Sequence, residues 1–223
     1  MTRLIRRLTA VLIAAAMVLM MGACSKPAGN AEPEGAAEKS GQEIVRSLME
    51  QVAATDIDNY YEEYLPGVNL ADADVFGTED GLAYAFLYEA GYVVLKDKAY
   101  LMVGSAGPVI LHYNMEENAP VLTEVEWSAD GEMQEQWLEE HFPAEVLEKY
   151  RAFIADDSGR ERLIESVDKQ AAEKLGVPVE TENLLMIDTE AQTYEILAVK
   201  ESGEGENYKF ETETIEQGSL ADL

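Results

Sequence analysis

The sequence predicts an α+β fold, a single domain in which a central antiparallel sheet is packed by flanking helices. Three observations predict it. Apolar residues recur at helical spacing on both sides of the middle of the chain. From Leu82 to Trp127 the pattern changes to a succession of β-rich runs. The pieces between those runs are too short for parallel crossovers, which need a dozen or more residues, so neighbouring strands should pair as a meander.

Each element follows from a local pattern. Ile44, Val45, Leu48 and Val52 form one stripe over Gln42 to Ala54, with Glu43, Arg46, Glu50 and Gln51 opposite. Asp56 is a candidate cap for a short second helix through Tyr60, Tyr61 and Tyr64, which Pro66-Gly67 ends. The acidic stretch that follows reads as an irregular loop. Leu82 to Leu95, Ala99 to Val103, Val109 to Tyr113 and Val121 to Trp127 read as strands, although Ala83 to Leu87 also suits a helix. Lys96-Asp97-Lys98, Gly104 to Pro108 and Met115 to Pro120 read as turns. In the last run Thr123, Val125 and Trp127 alternate with Glu124 and Glu126, as a strand with one solvated face requires.

Asp130-Gly131 closes the sheet region. Helices are predicted over Met133 to His141, from Pro143 towards Ile154, and from Arg160 to Leu175, with Asp156 to Gly159 as a break and Gly176 and Pro178 as a stop. Leu184 to Ile187 and Thr193 to Lys200 predict a hairpin. Ser202 to Gly205 reads as a turn, Tyr208 to Thr214 as an exposed edge strand, and Leu220 to Leu223 as a frayed end.

Composition excludes some functions. The chain carries 16 basic and 44 acidic residues, a formal charge of −28. Nucleic-acid binding is excluded in practice, because neutralising phosphates takes a basic patch. Binding to anionic headgroups is disfavoured for the same reason. The charge fits solubility by mutual repulsion, a cationic partner, or weak binding of divalent cations.

The first 24 residues carry an address. Arg3, Arg6 and Arg7 precede an apolar run from Leu8 to Met21, and Met21-Gly22-Ala23-Cys24 ends it. The run is shorter than the ~20 residues of a comfortable membrane span and has the layout of a signal peptide. Its end resembles the lipobox of bacterial lipoproteins. That resemblance implies cleavage between Ala23 and Cys24 and a diacylglycerol thioether on Cys24. Cleavage removes three arginines and no acid, so the mature chain is more negative still. Cys24 is the chain's one cysteine, so its lipidation leaves no disulfide within the chain. Residues 1–23 are thus expected to be a signal peptide and 24–41 a lipidated cysteine with a flexible tether. The extracytoplasmic α+β domain is expected over 42–223, on the outer face of a bacterial cell membrane. The Pro-, Gly- and Ala-rich tether, Ser25 to Gly41, gives a reach of about 20–25 Å.

Chemistry-bearing patterns are sparse. Ser166-Val167-Asp168-Lys169 matches Ser-x-x-Lys, but Lys39-Ser40-Gly41 lies upstream of it and no Ser-Asp-Asn element intervenes, so a solvated helix face is expected there. Asp72-Ala73-Asp74 begins like a calcium loop, yet Phe76 and Ala83 stand where ligands are needed. With Glu79 and Asp80, Asp72 and Asp74 form a candidate weak cation loop. His112 and His141 lack any metal-ligand spacing, and His112 is expected to be a structural strand residue. No metal site and no cofactor are expected. Tyr60, Tyr61 and Tyr64 form a candidate binding face within a tyrosine-dense region, most of whose members should pack the interior.

Tyr100 to Val146 looks like a segment of some Gram-positive lipoproteins and is similar to the extracytoplasmic tails of BlaR-type antirepressor membrane proteins. The shared features are Gly107-Pro108-Val109 entering a strand, a Glu-rich strand ending at Trp127, Asp130-Gly131, and Phe142-Pro143 after a helix. The metallopeptidase motif of those proteins is absent, so the resemblance implies an accessory or sensing module and no catalytic residues. The expected function is a non-enzymatic binding or accessory module for an envelope protein or peptide. The alternative is a lipoprotein that binds a small ligand or a divalent cation.

Overall fold

The strongest β-run, Leu82 to Leu95, is the strand around which the sheet is assembled. The computed structural model describes residues 40–55, 57, 60–202 and 209–223, which belong to one unit spanning 39–223. The expected signal peptide, Cys24, the expected tether up to residue 39, the candidate cap Asp56 and the expected turn residues Gly203 to Gly205 lie outside the described residues. In chain order the elements are α1 (Gly41–Thr55), β1 (Gly67–Glu79), β2 (Leu82–Leu95), β3 (Lys98–Glu116) and β4 (Ala119–Trp127). Then come α2 (Gln134–His141), α3 (Ala144–Ile154), α4 (Ser158–Leu175), β5 (Asn183–Asp188), β6 (Thr193–Ser202) and β7 (Lys209–Ser219). The fold is mixed α+β. Among the described residues it has four α-helices, a four-stranded antiparallel sheet in the order β1-β2-β3-β4 and a three-stranded antiparallel sheet in the order β5-β6-β7. Among the described residues no helix is long and apolar enough to cross a membrane.

β2 is buried from Ala83 to Val93. Alternation sorts its side chains by size. Tyr84, Phe86, Tyr88 and Tyr92 share a cluster with Leu138 of α2, Val146, Leu147 and Tyr150 of α3, and Leu163, Val167 and Ala171 of α4. Ala83, Ala85 and Leu87 share another with Val45, Leu48, Met49, Val52 and Ala53 of α1. A strand covered on both sides needs no polar face, which is why its sequence is one apolar run and why the helical alternative at Ala83 to Leu87 is overruled.

Four expectations are corrected. The Gly104 to Pro108 turn does not exist; β3 runs unbroken through it, with Pro108 in register with Phe86. Pairing with β2 continues through all five residues, Gly104 to Pro108 opposite Ala90 to Phe86. The carbonyl of Pro108 accepts from Ser128 N–H at 3.1 Å, so its missing donor faces the side where β4 has already ended. The acidic loop is also absent, because Asp72 to Glu79 lie within β1. Finally, the C-terminal strands form a sheet of their own, and the last of them is longer than expected. Leu220, expected to fray, packs on the third apolar cluster.

That third cluster joins β2 and β3 to β5 and β6 through Val93, Leu95, Tyr100, Leu185, Tyr194 and Ile196. Beside it, Ala99 N–H donates to the Pro178 carbonyl at 2.9 Å and Glu180 N–H donates to the Ala99 carbonyl at 2.8 Å. Lys98 pairs with Glu180 at the same joint. Upstream, α4 ends where Gly176, at φ 73°, takes the left-handed cap conformation.

Candidate functional site

β1 is an edge strand, and its register fixes which main-chain groups face outward. Val94 N–H donates to the Pro66 carbonyl at 2.7 Å, so the even-numbered residues of β1 face β2. The other parity is independently marked at Ala73. Its N–H donates to Asp72 Oδ1 at 2.8 Å, and its carbonyl accepts from Gln42 Nε2 at 3.4 Å. Gly67, Asn69 and Ala71 have the same parity as Ala73. Their N–H and C=O groups therefore point away from the sheet, and no described main-chain group pairs with them.

α4 runs along this edge with a polar stripe at four-residue spacing. Arg162 pairs with Asp74, and Ser166 Oγ donates to Asp72 Oδ2 at 2.6 Å. Four helical residues rise about 6 Å and two strand residues about 6.5–7 Å, so the stripe stays level with alternate residues of β1. The next two members, Gln170 and Lys174, come level with Leu70 and Val68, which carry no carboxylate. There the ladder opens into a cleft of about 580 Å³.

The cleft has a main-chain floor and two unlike walls. Gly67 to Ala71 form the floor, Gln170 and Lys174 one wall, and Met49, Glu50, Ala53 and Ala54 of α1 the other, with Glu62 also lining it. The two alanines keep the α1 wall shallow. Asn69 Nδ2 donates to the Ile57 carbonyl at 3.4 Å, while its Oδ1 is buried with no hydrogen-bond partner among the described residues. Glu89, buried on β2, is in register with Ala71 of the floor. Gly67 is required by space. A Cβ there would lie 2.5 Å from the Tyr92 carbonyl oxygen and 2.7 Å from Glu62 Cγ, and only the second can move aside. Gly67→Ala is expected to destabilise the fold by about 1–3 kcal/mol, read from the urea midpoint; an unchanged midpoint would refute this packing.

The candidates from the sequence fare differently. Asp72 and Asp74 stand on a strand, committed to Ser166 and Arg162, while Glu79 and Asp80 lie at its end and turn. Tyr84 Oη donates to Glu79 at 3.3 Å. They are not a loop, and among the described residues no group of three or more His, Cys, Asp or Glu side chains has metal-holding geometry. The tyrosines do not make one exposed face: Tyr61 packs against the third apolar cluster and Tyr64 is exposed, while the Tyr60 side chain lies outside what is described. Ser166 donates to Asp72, while the Lys169 ammonium is exposed and lies 4.0 Å from Glu173.

His112 is a strand residue with a hydrogen-bond partner, as expected: its Nε2 lies 2.9 Å from Glu126 Oε2. His141 Nε2 lies 3.8 Å from the other oxygen of Glu126, its Nδ1 is 2.8 Å from the Trp137 carbonyl, and its ring stacks on Trp137. Below the α4 helix, Tyr92 Oη donates to Asp168 at 2.6 Å; burial and that carboxylate drive the phenol's pKa far up, so it stays a neutral donor.

The cleft was missed from sequence, although two signals for it existed. Ala71, Ala73 and Val75 alternate with Asp72 and Asp74, a strand period hidden by strand-averse Asp and Asn. Arg162, Ser166, Gln170 and Lys174 recur every four residues, a stripe that reads as a solvated face until β1 is laid beneath it. No family model matches the chain, and no curated protein and no solved structure matches it either.

Proposed function

We propose that this is a bacterial envelope lipoprotein, anchored outside the cell membrane through Cys24, whose domain is a non-enzymatic binding or accessory module for an envelope protein or peptide. The cleft over β1 is its binding site. The observation that carries this reading is the cleft's floor, an open strand edge set between two helices. In the same reading the four-stranded sheet is the central layer, with α1 on one face and α2 to α4 on the other. This arrangement is supported by the division of core residues between the two clusters.

A catalytic role finds no support in the chemistry present. Ser166 is tied to Asp72, the Lys169 ammonium lies 4.0 Å from Glu173, and each histidine is engaged with Glu126. The divalent-cation alternative loses its basis with the acidic loop, since Asp72 and Asp74 are already engaged by α4. The similarity of residues 100–146 to a segment of some Gram-positive lipoproteins, read from the sequence, also favours an accessory role.

The anchor and the module are tested together. Mass spectrometry of the membrane form is expected to find a diacylglyceryl-modified Cys24 at the mature N-terminus, and Cys24→Ala is expected to leave the membrane fraction. Cross-linking on intact cells should then recover one near-stoichiometric partner from the wild type and lose it in Cys24→Ala and in the cleft-blocking Ala54→Trp. An unmodified thiol refutes the anchor; a partner indifferent to Ala54→Trp refutes the cleft.

A further inference from the structure

We infer that the cleft takes its partner by strand addition: an extended segment with basic residues at alternate positions pairs with the outer edge of β1. This rests on the cleft being the binding site. It goes further by assigning the mode and the chemistry of the partner.

The mode follows from the floor. Gly67, Asn69 and Ala71 present three N–H and three C=O groups along one line, at the two-residue spacing an added strand offers in return. Edge strands are ordinarily blunted by charge, proline or a covering element. At its Asp72 and Asp74 end the outward groups of Ala73 are taken, the N–H by Asp72 Oδ1 and the carbonyl by Gln42. The open part is the part that lines the cleft. An added strand reaching Ala73 would have to displace Gln42, which limits the site to about five residues of the occupant.

The chemistry follows from the walls. A strand laid on β1 sends alternate side chains towards α1 and towards α4. The α1 residues lining the cleft include Glu50 and no basic residue, Glu62 adds a second carboxylate, and Asn69 Oδ1 is a buried acceptor with no donor among the described residues. Donor-bearing, positively charged side chains match that side. The chain's formal charge of −28 attracts such a segment from a distance and repels an acidic one. On the opposite wall, Lys174 makes no ion pair among the described residues, and Gln170 has a bond of 3.4 Å to Ser166. Neutral or acidic side chains suit that side.

The test uses the full-length protein in detergent, about 0.15 M salt to screen long-range attraction, and a fluorescent peptide of alternating lysine and threonine. It is compared with an alternating glutamate and threonine peptide, and with two lysine peptides N-methylated at every second residue, one in each parity. Methylation removes main-chain donors along one edge only. We expect the lysine peptide to bind at least tenfold tighter than the glutamate peptide. One methylated parity should lose at least tenfold and the other bind as the parent does. Ala54→Trp, at an exposed helix position, should abolish binding, and Glu50→Lys should weaken it tenfold.

Binding lost in Ala54→Trp but equal for both methylated peptides overturns strand addition and leaves the cleft standing. Binding that survives Ala54→Trp overturns the cleft itself. Equal binding of the glutamate peptide, or no binding of the lysine peptide, overturns the assigned partner chemistry.

Discussion

Glu180→Gln is expected to cost about 2–3 kcal/mol of stability at neutral pH and almost nothing near pH 2. The side chain of Glu180 is 5% exposed at the joint between the two sheets. Burial by itself would raise its pKa. The Lys98 ammonium, the Glu182 N–H at 2.9 Å and Asn183 outweigh that and bring it down to about 2, from 4.5 in the unfolded chain. A depressed carboxylate stabilises the fold fully above the unfolded pKa and ceases to do so as pH falls through the folded one. The gap between wild type and variant should therefore be full above about pH 4.5, narrow through pH 3 and close near pH 2. Denaturant melts at stepped pH measure it, and a gap that does not change with pH would refute the assignment. Lys98 is 43% exposed, so water screens its share, and the main-chain donor at Glu182 is the firmer partner. Lys98→Met should accordingly cost less than Glu180→Gln.

Leu48→Ala and Leu163→Ala are each expected to destabilise the protein by about 2–5 kcal/mol. Leu48 of α1 is 0% exposed and Leu163 of α4 is 2% exposed, in different apolar clusters. Each truncation leaves a cavity that a neighbouring strand cannot fill by collapsing. If the sheet separates the two helices, the losses in the double variant should add to within about 0.5 kcal/mol. Equilibrium unfolding of the two single variants and the double variant decides the point. A coupling of more than about 1 kcal/mol would place both leucines in one shared core and refute the layered arrangement.

The helices were readable in advance because their evidence is local. α1 follows from Ile44, Val45, Leu48 and Val52, and α4 from Leu163, Val167 and Ala171 closed by Gly176. β2 and β4 were readable for the same reason. Where the expectation failed, local chemistry pointed the wrong way and packing reversed it. Gly104 to Pro108 has turn residues, yet all five stay in register with Ala90 to Phe86 of β2, and the proline falls where β4 has ended. Asp72 and Asp74 look like loop acids, yet Ala71 and Ala73 beside them pack in the α1 cluster while Ser166 and Arg162 take the carboxylates. The tyrosines near residue 60 looked like a surface because tyrosine favours interfaces, while Tyr61 is drawn into the joint between the sheets.

The sequence by itself determined the strongly acidic charge and the positions of the four described α-helices and most described strands. Each of these depends on composition or on residues within a few positions of one another. Only the tertiary structure decided that β1 exists, that it is an edge, and that its outer main-chain groups lie open between α1 and α4. The physical reason is that an edge is a relation between segments far apart in the chain. Whether the main-chain groups of Asn69 face a strand or a cleft depends on the register with Gly91 and on where Ala54 and Lys174 come to rest.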